Sequence, residues 1–294
     1  MKKVFSLLCI SAILISSCKK DNSTTPDETT DGGGSNNSTV PATFTQKVLI
    51  ETFTGAGQPQ CTDGFVKQDA IITNNPTKAI PVAIHYGDAM ENNQYTLLAS
   101  TFSSGLAPQF PSGMINRTPS LSMVIFNRTQ WQSNFDVAKA KTAACGLAIN
   151  TSINGTNANI TVTAGYNSNL TGTYNLTVYL VENNVAGSGN MYDQRNSYNT
   201  TTGHPYAGTG DPIVGFHHDF VVRKVLSAGL GDALSSSNIT VGGKEEKTYS
   251  TSIAGLNSNE LYVVAFISKT GSSATDRTIM NVQRVKLGSN QGWD

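Results

Sequence analysis

The chain has one cysteine in a position suited to chemistry: Cys61, the last residue of Gln58-Pro59-Gln60-Cys61, which follows the apolar run Lys47–Phe53 and the turn Gly55-Ala56-Gly57. A strand passing through such a turn into a helix sets the helix N-terminus at the end of a sheet, where the helix dipole lowers the pKa of a thiol. Dithiol exchange needs an attacking thiolate and a second thiol that resolves the mixed disulfide. Gln58 stands where the first thiol would be, so the turn has the placement of a redox site without its couple. Cys61 is expected about one turn into the helix. There it is either a buried packing group, since free cysteine packs as a small hydrophobe, or a lone reactive thiol.

Two further groups converge on the same place. His85, Tyr86 and Asp88 close the apolar strand Ala79–Tyr86, at the carboxyl end where ligands collect in an open α/β sheet. His85 with Asp88 reads as an oriented base, a metal-ligand pair, or a satisfied polar pair rimming a crevice. Pro111, in Phe110-Pro111-Ser112-Gly113, falls between a helix and a strand, the position of a cis-proline that faces the turn. Later in the chain, Phe216–Arg223 alternates as a strand would. His217, Asp219, Val221 and Arg223 then share one face, and Phe216, His218, Phe220 and Val222 the other. Asp219 and Arg223 read as a surface or cross-strand pair. Asp193, His204 and Asp211 lie in a long loop without the spacing of a calcium site. No dinucleotide, phosphate-loop, zinc-protease or nucleophile-elbow motif occurs, so neither cofactor nor metal is expected.

The elements around these residues change character along the chain. From Phe44 to about Lys141, strands alternate with helical periods: Lys47–Phe53, a helix carrying Phe65, Ala70, Ile71 and Ile72, Ala79–Tyr86, a helix over Tyr95–Phe102, a strand over Gly113–Asn116, and a helix over Thr129–Lys141 with Trp131, Phe135 and Ala138 on one face. This indicates an α/β layer with crossover connections. Beyond Ala144 the segments Gly146–Ser152, Ala158–Gly165, Tyr174–Glu182, Gly215–Leu226, Lys247–Ile253, Leu261–Lys269 and Thr278–Leu287 are β-rich and separated by Asn, Gly and Ser, the pattern of an antiparallel β-sandwich. The aperiodic run Ala186–Asp211 is either a recognition surface built on Tyr192, Tyr198 and Tyr206 or an ordered loop folded over a sheet edge.

Residues 1–17 have the form of a secretory signal: Lys2 and Lys3, an apolar core from Val4 to Ile15, then small residues before Cys18. Cys18 sits where a lipobox places the residue that becomes the acylated amino terminus, carrying chains such as palmitate. Residues 18–43 are polar, with too little apolar surface to offset the entropy of ordering, and read as a flexible tether. Residues 44–143 and 144–294 then form the α/β and all-β domains. The chain carries 20 basic and 20 acidic residues; loss of Lys2 and Lys3 leaves 18 against 20, which offers no basic field for nucleic acid. Of the four cysteines, Cys9 leaves with the signal and Cys18 takes lipid. Cys61 and Cys145 remain, which is no disulfide framework.

Taken together, the lipobox at Cys18, Val48–Gly55, Pro81–Asp88, Phe110–Gly113, Leu176–Asn183 and Phe216–Arg223 resemble, in order and spacing, the Bacteroidetes outer-membrane lipoproteins of the twenty-eight-kilodalton outer membrane protein family. The resemblance implies a thioredoxin-like domain followed by an antiparallel β-sandwich, anchored by lipid at the outer membrane, with a surface or adhesive role. Many relatives keep Cys-x-x-Cys, and Gln58 departs from that pattern. The expected function is non-catalytic binding of a protein or glycan through the long loop or the cleft of Gln58, Cys61, His85, Asp88 and Pro111. The alternatives are a thiol-disulfide accessory using Cys61, with Cys145 as an internal partner, and a structural component of an envelope assembly.

Overall fold

The order of elements begins β1 (Val48–Thr54), α1 (Cys61–Asn74), β2 (Ala79–His85), α2 (Gln94–Phe102), β3 (Ser112–Ile115), β4 (Phe126–Asn127) and α3 (Trp131–Lys139). It continues with β5 (Cys145–Asn154), β6 (Asn157–Tyr166), β7 (Tyr174–Glu182), β8 (Val221–Val225), β9 (Asp232–Ala233), β10 (Lys244–Ser252), β11 (Leu261–Lys269), β12 (Ile279–Lys286) and β13 (Asn290–Gln291). This computed structural model describes residues 39–103 and 107–293; the signal segment, Cys18 and most of the tether lie outside the described residues.

The protein is mixed α/β, dominated by two open sheets. A nine-stranded sheet runs β12-β11-β7-β8-β2-β1-β3-β4, with β9 added beside β7, and a four-stranded sheet runs β10-β6-β5-β13. β1 pairs parallel with β2 from Val48 opposite Ala79 to Thr54 opposite His85, β2 meets β8 in parallel at Ala83 and Val221, and the remaining pairs are antiparallel. The handover expected at residues 143 and 144 falls between α3 and β5, yet strands from both sides of it share the larger sheet. The reason lies in β7 and β11, which are apolar on both faces. Leu176, Val178 and Leu180 of β7 and Val263, Ala265 and Ile267 of β11 pack against β5 and β6, while Tyr179, Val181, Val264 and Phe266 pack with Leu49, Phe53, Val82 and Leu98. A strand apolar on alternate faces needs cover on both, and β1, β2 and α2 supply the second cover.

The same period of two sorts β1. Leu49 and Phe53 face α2, whereas Val48 and Ile50 face α1 and α3, where Ile71, Trp131, Phe135 and Ala138 complete a third core. Trp131, Phe135 and Ala138 share the buried face of α3 that their spacing predicts. The helix itself is shorter than expected: Arg128–Gln130 forms a 3-10 turn capped by the Asn127 side chain, and regular α-helix runs only from Trp131 to Lys139.

The strand expected from Gly215 to Leu226 is confined to Val221–Val225. Gly215 (φ +69°) and Phe220 (φ +61°) take left-handed backbone, so His218 makes only an isolated bridge to Val185. Asp219 and Arg223 consequently do not pair: Asp219 accepts the Asn184 N–H and Arg223 meets Glu182 at 3.2 Å.

Candidate functional site

The turn after β1 is held from below by one carboxylate. Asp88 accepts the backbone N–H of Ala56 at 2.8 Å and of Met90 at 2.9 Å, and its Oδ2 meets His85 Nδ1 at 2.7 Å. Burial pushes the Asp88 carboxyl up, but the hydrogen bond from His85 and the two backbone donors outweigh it, and the net shift is downward. An ionised Asp88 assigns the proton on Nδ1 to His85. Of the readings for His85 and Asp88, the satisfied pair fits this geometry, because the carboxylate is already occupied by three donors.

Cys61 is the first residue of α1, not one turn inside it, because Gln58–Gln60 are used in turns: Gln58 N–H donates to Gly55 O and Cys61 N–H donates to Gln58 O, each at 3.0 Å. The side chain is 0 % exposed, and burial pushes the thiol up to about 11 against the pull of the Gly55 backbone and the Arg128 guanidinium. At neutral pH it is a thiol, and the thiol is not the nucleophile. Cys145 does not pair with it: both cysteines are free, and Cys145 opens β5 inside the core between the two sheets. The Phe110–Pro111 peptide is cis. Pro111 packs on the first turns of α1, where a Cβ placed on Gly64 would come within 2.8 Å of the proline ring.

The long loop lies over this turn. Arg195 N–H donates to Ala56 O at 2.8 Å, Ser197 N–H to Pro59 O at 2.8 Å, and Gln194 Nε2 to Gln58 O at 3.1 Å. Asn196 anchors the loop from within: its side-chain N–H group donates to Tyr206 O and Gly210 O, while its Oδ1 accepts from Tyr198 N–H and lies 3.3 Å from the Thr62 hydroxyl. The loop is ordered and covers the cysteine turn instead of a sheet edge. Its tyrosines turn inward: Tyr198 accepts from Arg128 at 2.7 Å and stacks on His204 at 4.2 Å, and Tyr206 follows at 6.0 Å. Asp211 pairs with Arg195, Asp193 accepts the Gly215 N–H, and His204 lies 3.5 Å from Asp63; no three ligand side chains among the described residues gather for a metal ion.

The row of rings continues into a contact that sequence spacing did not reveal. Tyr206 meets Phe216 at 6.1 Å, Phe216 meets His218 at 4.8 Å, and His218 meets His85 edge-on at 5.3 Å. His218 is 2 % exposed; its Nε2–H donates to Tyr192 O at 2.8 Å, while its Nδ1 is buried without a partner. Burial, with the His85 ring beside it, depresses the His218 pKa to about 4, so the ring is neutral at pH 7. Alternation alone grouped Phe216 with His218, and nothing in the spacing pointed to His85.

Fold and site thus define a class: an open-sheet α/β protein whose cysteine-bearing turn is single-thiol and sealed by its own loop. The particular family follows from comparison. The family described as outer membrane protein Omp28 matches residues 104–291, more than half of the chain, and the protein belongs to that family. Among solved structures, HBP35 of Porphyromonas gingivalis is similar with a TM-score of 0.61 and 20 % identity over 83 % of this chain and 76 % of that one. A protein of Agrobacterium tumefaciens aligns with a TM-score of 0.49 and 11 % identity over 85 % of this chain and 97 % of its own. No curated protein matches the chain.

Proposed function

We propose that the protein is a lipid-anchored, non-catalytic binding protein of the outer membrane, built from a thioredoxin-like unit and a β-sandwich. The observation that carries this reading is the seal over the turn: a lone, buried, protonated Cys61 lies beneath a loop bonded to the main chain of Ala56, Gln58 and Pro59. Thiol exchange needs an exposed thiolate and a resolving partner, and this turn offers neither. The strand order β2-β1-β3-β4, with α1 and α3 on one face and α2 on the other, supports the thioredoxin-like part. The facing of β5 and β6 against β7 and β11 supports the sandwich. The partner is a protein or a glycan, met through the loop-covered end of β1 and β2. Attachment rests on Cys18.

The test has two parts. Purified mature protein is expected to leave insulin disulfides intact under conditions in which a thioredoxin reduces them, and native Cys61 is expected to resist iodoacetamide until the chain is unfolded. Reduction at a rate comparable to thioredoxin's would overturn the non-catalytic reading. Labelling of cells with an alkyne analogue of palmitate should mark the wild type and not Cys18→Ala; equal labelling would overturn the anchor.

A further inference from the structure

Between α1 and the segment 206–220 lies a cavity of about 70 Å³. Its floor is the face of β1 and β2 that carries Thr52, Ala83 and His85; α1 closes it with Phe65, Gln68 and Asp69. Its outer wall is Tyr206 and Phe216–Phe220, joined to α1 by the stack of Phe65 on Phe216 at 5.5 Å. We infer that this cavity binds the ammonium head of an aliphatic primary amine. This rests on the binding-protein reading and names the ligand chemistry of its site.

Three observations select the amine. The first is the orphaned acceptor: His218 lines the cavity, its Nε2–H is committed to Tyr192 O, and its Nδ1 lone pair has no donor. A buried acceptor left unpaired forfeits its solvation, and a donating ligand restores a partner. The second is charge. Asp69 and Asp219 line the mouth, both exposed, and neither has an ion-pair partner among the described residues. Asp219 raises the pKa of Asp69, and both act on Tyr206, so their fields converge on the opening. The third is shape and lining. An engineered cavity of about 150 Å³ accepts a benzene ring; this one holds less than half of that and admits a slim head only. Aromatic walls favour a cation over a neutral group of equal size. An ammonium supplies three donors and a positive charge, whereas a carboxylate or phosphate would meet two acidic side chains and a lone pair. Gln68 is engaged by the Thr52 hydroxyl through its Oε1, and His217 through Nδ1 by Asn184.

Such a head is carried by a free alkylamine or by a lysine side chain of a partner protein, and the experiment separates the two. Full mature protein is titrated with n-butylamine at neutral pH while the imidazole nitrogens of His218 are followed by NMR. A saturable shift of Nδ1 is expected with n-butylamine and none with n-butanol or butyrate. The variant Asp69→Asn/Asp219→Asn changes two exposed side chains and should keep the fold while weakening amine binding about tenfold, or 1.4 kcal/mol. Competition by the blocked peptide acetyl-Gly-Lys-Gly-amide supports a lysine-bearing partner; binding of butylamine alone supports a small amine. An equal response to n-butanol, or undiminished amine binding by the double variant, overturns the inference. Either failure leaves the insulin and alkylation results untouched, so it is distinguishable from failure of the non-catalytic reading.

Discussion

β1 and β2 bury titratable groups on both of their faces, and the two clusters are built differently. On the α2 side, Glu51 and Arg117 form a bidentate pair at 2.6 and 2.7 Å, with exposures of 0 % and 1 %, and the guanidinium lies 4.9 Å over the Phe102 ring and 5.1 Å over that of Phe266. Arg117 reaches this position from a left-handed residue (φ +47°) just beyond β3. On the α1 side, His85, Asp88 and His218 are equally deep, but one nitrogen is left over. A planar fork against a carboxylate satisfies both partners and locks strand to strand. An imidazole whose second nitrogen has no partner stores an unsatisfied interaction instead, the kind of residue worth asking about as a site. The first cluster is structural on these grounds; the second is where a ligand has something to gain.

The largest test of that contrast is Arg117→Ala, which leaves Glu51 as an uncompensated buried charge and should cost about 3–5 kcal/mol in urea unfolding. The double replacement Glu51→Leu/Arg117→Met should recover most of the loss, because removing both charges also removes their desolvation. Failure of the double variant to recover the loss would place the pair's importance elsewhere.

The open cluster should respond to pH. The folded His218 pKa of about 4 lies below the usual 6.5, so the unfolded chain binds the extra proton first as pH falls. Stability from this group is present above pH 6.5, falls between 6.5 and 4, and totals about 3 kcal/mol at most. The depressed carboxyl of Asp88 acts lower: its contribution is intact above the ordinary carboxylate pKa of about 3.9 and is lost as pH falls through the folded value. Melting curves of wild type and His218→Gln from pH 7 to pH 4.5 should converge as the pH drops, and parallel curves would remove His218 as the cause.

A smaller effect is expected from Asp88→Ala, about 1–3 kcal/mol from the donors it strands. Its sharper readout is chemical: release of the Ala56 turn should speed alkylation of Cys61 in the native state. At the bottom of the scale, Cys61→Ala should cost about 1 kcal/mol, the loss of a small packed group, without changing amine binding.

How much of this was legible depends on distance along the chain. The β1–turn–α1 arrangement, the buried face of Trp131, Phe135 and Ala138, and the limits of Tyr174–Glu182 and Leu261–Lys269 follow from local period and turn residues. Sheet membership does not, because strands apolar on both faces carry no mark of which neighbour covers which side. Arg117 falls just past the strand expected over Gly113–Asn116 and is joined to Glu51 across 66 residues. His218 reaches His85 only because Gly215 and Phe220 bend the backbone away from the strand that alternation predicted. Pairings fixed by tertiary approach leave no periodic trace.

The bonds from Arg195 and Ser197 to the turn run from backbone nitrogen to backbone oxygen. At these two points the cover does not read the side chains of the turn. Substitutions at Gly57, Gln58 or Gln60 leave its attachment points in place, and Gln58→Cys would write the missing thiol into a turn that stays closed. In this protein the want of a second thiol at the turn and the cover over that turn are separate features, and undoing one does not undo the other.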